Sequence, residues 1–126
     1  MSFTQTIEAS DAMLQGFAGL LDADANPAYA VLFDGAAVAL VTVVFARPAA
    51  TLVAHELRFA QAQAGGDMIL VQGNAASFKL YNGAGVLLLS GDVSDMAGAG
   101  ALKISGTTGT LLYEGARAIL GELKMV

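Results

Sequence analysis

Between positions 77 and 93 the chain reads S-F-K-L-Y-N-G-A-G-V-L-L-L-S-G-D-V, an alternating stretch, a glycine-containing turn and a second apolar run. Phe78 and Leu80 fall on one face, and Ser77, Lys79 and Tyr81 on the other. That is the period of a half-buried strand, so the segment predicts a β-hairpin, with Asn82-Gly83 supplying the positive-φ positions of a tight turn. Nearer the start, Met13, Leu14, Phe17, Leu20 and Leu21 recur at helical spacing behind Ser10 and Asp11 as an N-cap. They predict one amphipathic helix over residues 10–24, ending in the polar run from Asp22 to Pro27. Gly16 and Gly19 weaken it by up to about 1 kcal/mol each relative to Ala, so the helix depends on docking.

After Pro27 the pattern is that of strands. Tyr29 to Phe33 is a short apolar run, Asp34-Gly35 a turn signal, and Val38 to Phe45 a β-branched run suited to burial on both faces. Arg47-Pro48 is expected to break that strand. Thr51 to Ala60 then resumes, with Val53, His55, Leu57 and Phe59 on one side and Leu52, Ala54, Glu56 and Arg58 on the other. Met68 to Val71, residues 86–90, Leu102 to Ser105, Leu111 to Tyr113 and Ala118 to Met125 complete the series between glycine-rich turns. Leu102 and Ile104 point inward against Lys103 and Ser105, and Leu123 and Met125 oppose Glu122 and Lys124. Many short strands without alternating helices predict a mainly β chain, a jelly-roll-like β-sandwich with one N-terminal amphipathic helix covering an open edge or end. The whole of 1–126 reads as a single domain: residues 1–9 as an arm, 10–24 as the helix and 28–126 as the β-sandwich.

Composition changes this picture in one respect. The chain is 56% hydrophobic and only 13% charged, which leaves few charges to keep a lone molecule dispersed. Either part of its surface is covered in use, or its many small Ala and Gly residues inflate the count without forming adhesive patches. The net charge of −5, with Arg47, Arg58, Lys79, Lys103, Arg117 and Lys124 scattered along the chain, argues against direct nucleic-acid binding. Without cysteine there is neither disulfide nor thiolate chemistry. The start, M-S-F-T-Q-T-I-E, lacks the basic and apolar regions of a secretory signal, so none is expected. The apolar run from Gly35 to Ala46 is too short to span a bilayer and predicts a buried strand, so no membrane partner is expected.

Catalytic motifs fail on their particulars. Ser90 follows Leu88-Leu89 and Ser105 follows Lys103-Ile104, so neither has the glycine of a nucleophile elbow. Gly98-Ala99-Gly100 opens like a dinucleotide loop, but Lys103 stands where the third glycine belongs; a flexible turn is the better reading. Asp22, Asp24 and Asn26 resemble the opening of a calcium loop, yet Pro27 replaces its turn glycine and Phe33 its bidentate glutamate, which leaves a solvated acidic helix exit. Asp92 and Asp95 read as solvated loop carboxylates, and Thr107, Thr108 and Thr110 as a connecting turn. His55, the sole histidine, is either a structural residue with one satisfied ring nitrogen or a pH-sensitive contact at a subunit boundary. Phe3 and Ile7 either form an arm that orders on docking or pack on this domain's own core. Phe3, Ile7 and His55 are accordingly the candidate interface residues, and no catalytic, cofactor or metal residue is assigned.

The order of elements resembles small structural proteins of tailed bacteriophages. The likeness lies in Phe78 leading a strand, the polar-glycine turn Asn82-Gly83, Gly91-Asp92-Val93, and two closing strands at Leu102-Lys103-Ile104 and Glu122-Leu123-Lys124-Met125. It is strongest from Ala76 to Val126, and the chain departs from it between Gly35 and Val53, where it is more continuously apolar. The resemblance implies a non-enzymatic virion component, a capsid decoration or cement protein made in the host cytoplasm and carried on the capsid surface. Its implied partners are the major capsid protein and further copies of itself, as a dimer or trimer, with no cofactor. Alternatives are a tail-tube, tail-terminator or head–tail joining component, and a carbohydrate-binding β-sandwich module, with an enzyme last.

Overall fold

The computed structural model describes residues 6–106 and 109–125. Helix α1 (Ile7–Leu21) precedes the strands β1 (Tyr29–Phe33), β2 (Ala39–Val53), β3 (Glu56–Gln61), β4 (Asp67–Met68) and β5 (Gly73–Asn74). After them come β6 (Ser77–Tyr81), β7 (Leu87–Asp95), β8 (Leu102–Ser105), β9 (Leu111–Leu112) and β10 (Arg117–Met125). The helix begins earlier than the sequence predicts because Thr6 caps it, its hydroxyl accepting from Ala9 N at 3.2 Å. Ser10 and Asp11 lie inside the helix, and Ile7 is its first residue rather than part of an arm. Leu14 and Leu21 are buried, with Phe17 and Ala18 packed beside them on the core.

The expected mainly β chain with one N-terminal helix is present, and its main sheet closes on itself. The order is β3-β2-β1-β6-β7-β8-β10, and β10 returns to pair with β3, which makes a seven-stranded barrel. Within it β6-β1-β2-β3 form a Greek key, three hairpin-connected strands with the next barrel strand lying beside the first. Alternating positions fill the interior: Ala30 and Leu32, Phe78 and Leu80, Leu102 and Ile104, with Leu57 and Phe45. The predicted faces of β8 are as observed, with Leu102 and Ile104 buried and Lys103 and Ser105 half-exposed.

Closure depends on a short seam. Among the described residues, Lys124↔Arg58 and Met125↔Leu57 pair β10 with β3. Farther along, the Gln61 amide takes the place of a strand backbone: its Oε1 accepts from Leu120 N at 2.9 Å and its Nε2 donates to Ala118 O at 3.0 Å. The same Nε2 donates to Asp67 Oδ2 at 2.7 Å, and that oxygen also accepts from Val44 N at 3.1 Å. Each half-buried polar group of this seam thereby has a partner.

β2 and the turn after it differ from the expectation. Arg47-Pro48, joined by a cis peptide, does not end the strand; it lies in the irregular stretch between Phe45 and Ala50 where β2 bulges away from β3. A bulge requires no ladder N–H from proline, which is why the strand tolerates it. His55 is not on a strand face with Leu57 and Phe59. With Ala54 it forms the two-residue turn between paired Val53 and Glu56, at φ values of 65° and 50°.

The two hairpins β1–β2 and β6–β7 are copies of one unit. D-G-A-A-V (34–38) and N-G-A-G-V (82–86) make the same turn. Asp34 and Asn82 each accept through Oδ1 from the second and fourth residues beyond, at 2.9–3.1 Å. The backbone bonds match as well, Ala37 N to Asp34 O at 3.1 Å and Gly85 N to Asn82 O at 3.0 Å. Both ladders slip at the same place, between Leu32 and Phe33 in one and Leu80 and Tyr81 in the other. Because β1 and β6 pair antiparallel with Val31 opposite Lys79, equivalent residues of the repeat, a local two-fold axis passes between them. The turns therefore lie at opposite ends of the pair.

This turn places its left-handed residue third in the loop, so the positive φ belongs to Gly85 and Ala37 and not to Gly83. Ala37 carries a Cβ at φ 63°, where Gly85 in the copy does not. We expect Ala37→Gly to raise stability by about 0.5–1 kcal/mol, relief of the left-handed conformation outweighing glycine's freedom in the unfolded chain. Gly85→Ala should lower it, and thermal melting of both variants reads the two signs.

From β7 to β8 the chain turns back to run parallel, Val93↔Leu102 through Asp95↔Ile104, across only residues 96–101. Parallel neighbours ordinarily need a longer crossover. Here the return lies flat on β7, because a Cβ on Gly100 would stand 2.5 Å from Ser94 N and one on Gly98 2.6 Å from Ser94 Cβ. Ser94 Oγ accepts from Gly100 N at 2.8 Å and donates to Asp95 O at 2.9 Å. The G-A-G stretch is thus a packed turn rather than a flexible one.

Candidate functional site

The barrel seam carries an open depression of about 300 Å³, lined by Glu56, Arg58, Phe59, Gly121, Glu122, Leu123 and Lys124. It exists because β10 bulges at Gly121, between Leu120 and Glu122, where a Cβ would strike the Met96 sulfur. Charges of both signs rim it: Arg58 Nε donates to Glu56 Oε2 at 3.1 Å, and Lys124 Nζ lies 3.6 Å from both Glu56 and Glu122. The hydrogen bond from Arg58, with the Lys124 charge acting against a partial desolvation, holds the Glu56 carboxyl below its ordinary value of 4.5. A lowered folded pKa means stability that is present above the unfolded value and lost as pH falls through the folded one. Glu56→Gln should therefore flatten the dependence of melting temperature on acidity below about pH 5, by a small amount because the pair is exposed. Since each cation has a carboxylate partner, the depression offers no uncompensated charge.

Of the candidate interface residues, Phe3 lies outside the described residues. Ile7 is on the surface of α1, 60% exposed. His55 stands on the β2–β3 turn with Nδ1 3.0 Å from Asp11 Oδ2. Ile7 and Asp11 are one helical turn apart and share a face, so the structure brings Ile7 and His55 to one neighbourhood. Nδ1 of His55 has this partner, though the side chain is exposed and the pair contributes little.

The acidic segment after α1 holds a cation, and that cation belongs to the chain. Arg47 donates to three carbonyl oxygens at alternate positions: Asp24 O at 2.6 Å, Asn26 O at 3.2 Å and Asp22 O at 3.1 Å. A guanidinium beside the helix C-terminus offsets the unfavourable acids there. The Asp22 carboxylate accepts from Ala49 N at 3.2 and 3.3 Å, and Asp24 from Asn26 N at 3.0 Å. Asp22 thus ties the helix exit to β2, while Asp24 closes a local turn at the surface.

Asp92 and Asp95 lie at the end of β7 rather than in a loop, and each also fastens backbone at the surface. Asp92 accepts from Ala101 N at 2.9 Å, and Asp95 from Ala97 N at 3.1 Å and Gly109 N at 2.7 Å. Thr107 and Thr108 lie outside the described residues. Among the described residues no three His, Asp or Glu side chains are grouped to hold a metal, and no helix is long and apolar enough to cross a membrane.

What the sequence reading missed is the apolar surface at the hairpin turns. Ala36, Ala37, Val38 and Ala39 are all exposed, and so are Ala84, Gly85, Val86 and Leu87 in the copy. The signal was present as the repeated G-A-x-V after Asp34 and Asn82. Elsewhere Met13, Leu70 and Tyr113 present large side chains more than half exposed. Comparison with family models, with curated proteins and with solved structures finds no match to this chain.

Proposed function

We propose that this chain is a non-enzymatic structural module that works by adhesion, a capsid decoration or cement protein of a tailed bacteriophage carried on the shell. The observation that carries the reading is apolar surface on a filled barrel: Ile7, Met13, Leu70, Val86, Leu87 and Tyr113 are each more than half exposed in a chain only 13% charged. The single Greek key is the element from which jelly-roll-like windings are made, and it accords with the resemblance of the β order.

The mechanism is clamping. A rigid module touching two neighbouring shell subunits loses contact area if they separate, so its binding stabilises the assembled lattice by linkage. Contacts of about 800 Å² per partner suffice for a specific interface, and two contacts on one module add effective concentration. The test is to mix the purified protein with undecorated phage shells and follow co-sedimentation and electron microscopy. Saturable density on shells supports the reading; stacked rings of the protein alone favour the tail alternative, and retention on glycan the binding-module one.

A further inference from the structure

From the hairpin repeat we infer that the chain docks at a two-fold junction, its two turns seating in equivalent apolar sockets on two copies of one partner subunit. This rests on the adhesion reading and specifies its partner. The ladder equivalence described above relates the turns by a local axis between Val31 and Lys79. Both turns expose four consecutive residues without charge, ending in Val38-Ala39 and Val86-Leu87. Runs of exposed apolar residues at a loop tip are avoided unless something covers them. Here the run occurs twice, in one backbone conformation, at opposite ends of the β1–β6 pair.

A surface that fits one turn fits the other after a half rotation. The occupant that satisfies both at once is a pair of identical subunits related by a two-fold axis, as in any isologous contact. Strand length sets the span: five paired residues and the turns place the sockets roughly 25 Å apart. The sheet face between the turns is compatible with such a seat. Tyr29 and Tyr81 stack there at 5.2 Å, and Lys79, beside the axis, lies 5.4 Å from the Phe33 ring centroid. Outside this half of the barrel the symmetry ends, so one module occupies each junction in either of two orientations.

The test is the position of the protein on shells, with tip variants as its second arm. Cryo-electron microscopy of decorated shells should place one module over each two-fold or local two-fold position, as two superposed orientations. Val38→Asp and Val86→Asp change exposed side chains, and circular dichroism checks that both stay folded. Each should weaken binding about tenfold or more by removing one of two linked contacts, and the double variant should bind at background. Single cysteines at 38 or 86, in a chain with no other cysteine, carry an environment-sensitive dye that should report both turns entering an apolar setting. Modules over three-fold or five-fold positions, or unaltered binding by both single variants, would overturn the two-fold seat while leaving the adhesion reading standing. Wild-type protein that fails to bind shells at all overturns both.

Discussion

Gly83→Ala is expected to cost about 3 kcal/mol of stability, while Gly35→Ala, its counterpart in the repeat, leaves stability unchanged or slightly raised. Neither glycine has a positive φ, so the difference is one of space. A methyl at Gly83 would run into the Asn26 carbonyl, whereas nothing stands within 4 Å of one at Gly35. The obstacle is backbone, and it is backbone already fixed from the other side. The Arg47 guanidinium grips the carbonyls of Asp22, Asp24 and Asn26, and the Asp22 carboxylate is tied to Ala49 N. To admit the methyl, the segment between α1 and β1 must give up part of that set. Chemical denaturation of the two variants side by side measures the difference, and equal midpoints would show that the segment is not anchored as described.

A second pair isolates the barrel interior. Ile104→Asp should destabilise by about 4 kcal/mol or more, since it puts a carboxylate without partners among Leu80, Leu102 and their neighbours. Against a total of roughly 5–15 kcal/mol for a domain of this kind, that approaches global unfolding at ordinary temperatures. Lys103→Asp, one residue away on the half-exposed face, should change stability by no more than about 0.5 kcal/mol. Circular dichroism melts of the two proteins decide the matter. Comparable losses in both would mean that β8 presents its faces the other way.

The strands that alternate cleanly were legible before the structure: Ser77–Tyr81 and Leu102–Ser105 appear at the expected positions because burial on one face imposes the period of two, and Tyr29–Phe33 was legible as a short apolar run. The helix was legible from its apolar spacing but not its start, since Thr6 competes with Ser10 and Asp11 for the cap and only the packed arrangement decides. Closure into a barrel was not legible. It turns on long-range pairing between β3 and β10, as at Leu57 and Met125, and on a glutamine side chain standing in for backbone, none of which leaves a local pattern. The bulge at Arg47-Pro48 was read as an ending because proline cannot join a ladder, although a strand can continue past residues that are not in the ladder. For the candidate site, the carboxylates and the lone histidine were visible as residue types, while distant partners, such as Ala49 N for Asp22 and Asp11 for His55, were not.

The strand that shuts the barrel, β10, is also the last of the barrel strands in chain order. It pairs with β3, β8 and β4, so until it has left the ribosome the nascent molecule holds β3 and β8 with open hydrogen-bonding rims and an uncovered interior. Local hairpins can form early, but completion waits for contacts that span more than half the chain, as between Leu57 and Met125. Crowded translation is therefore the moment of greatest risk for cross-pairing between neighbouring nascent chains, and slower expression at lower temperature should raise the yield of monodisperse protein.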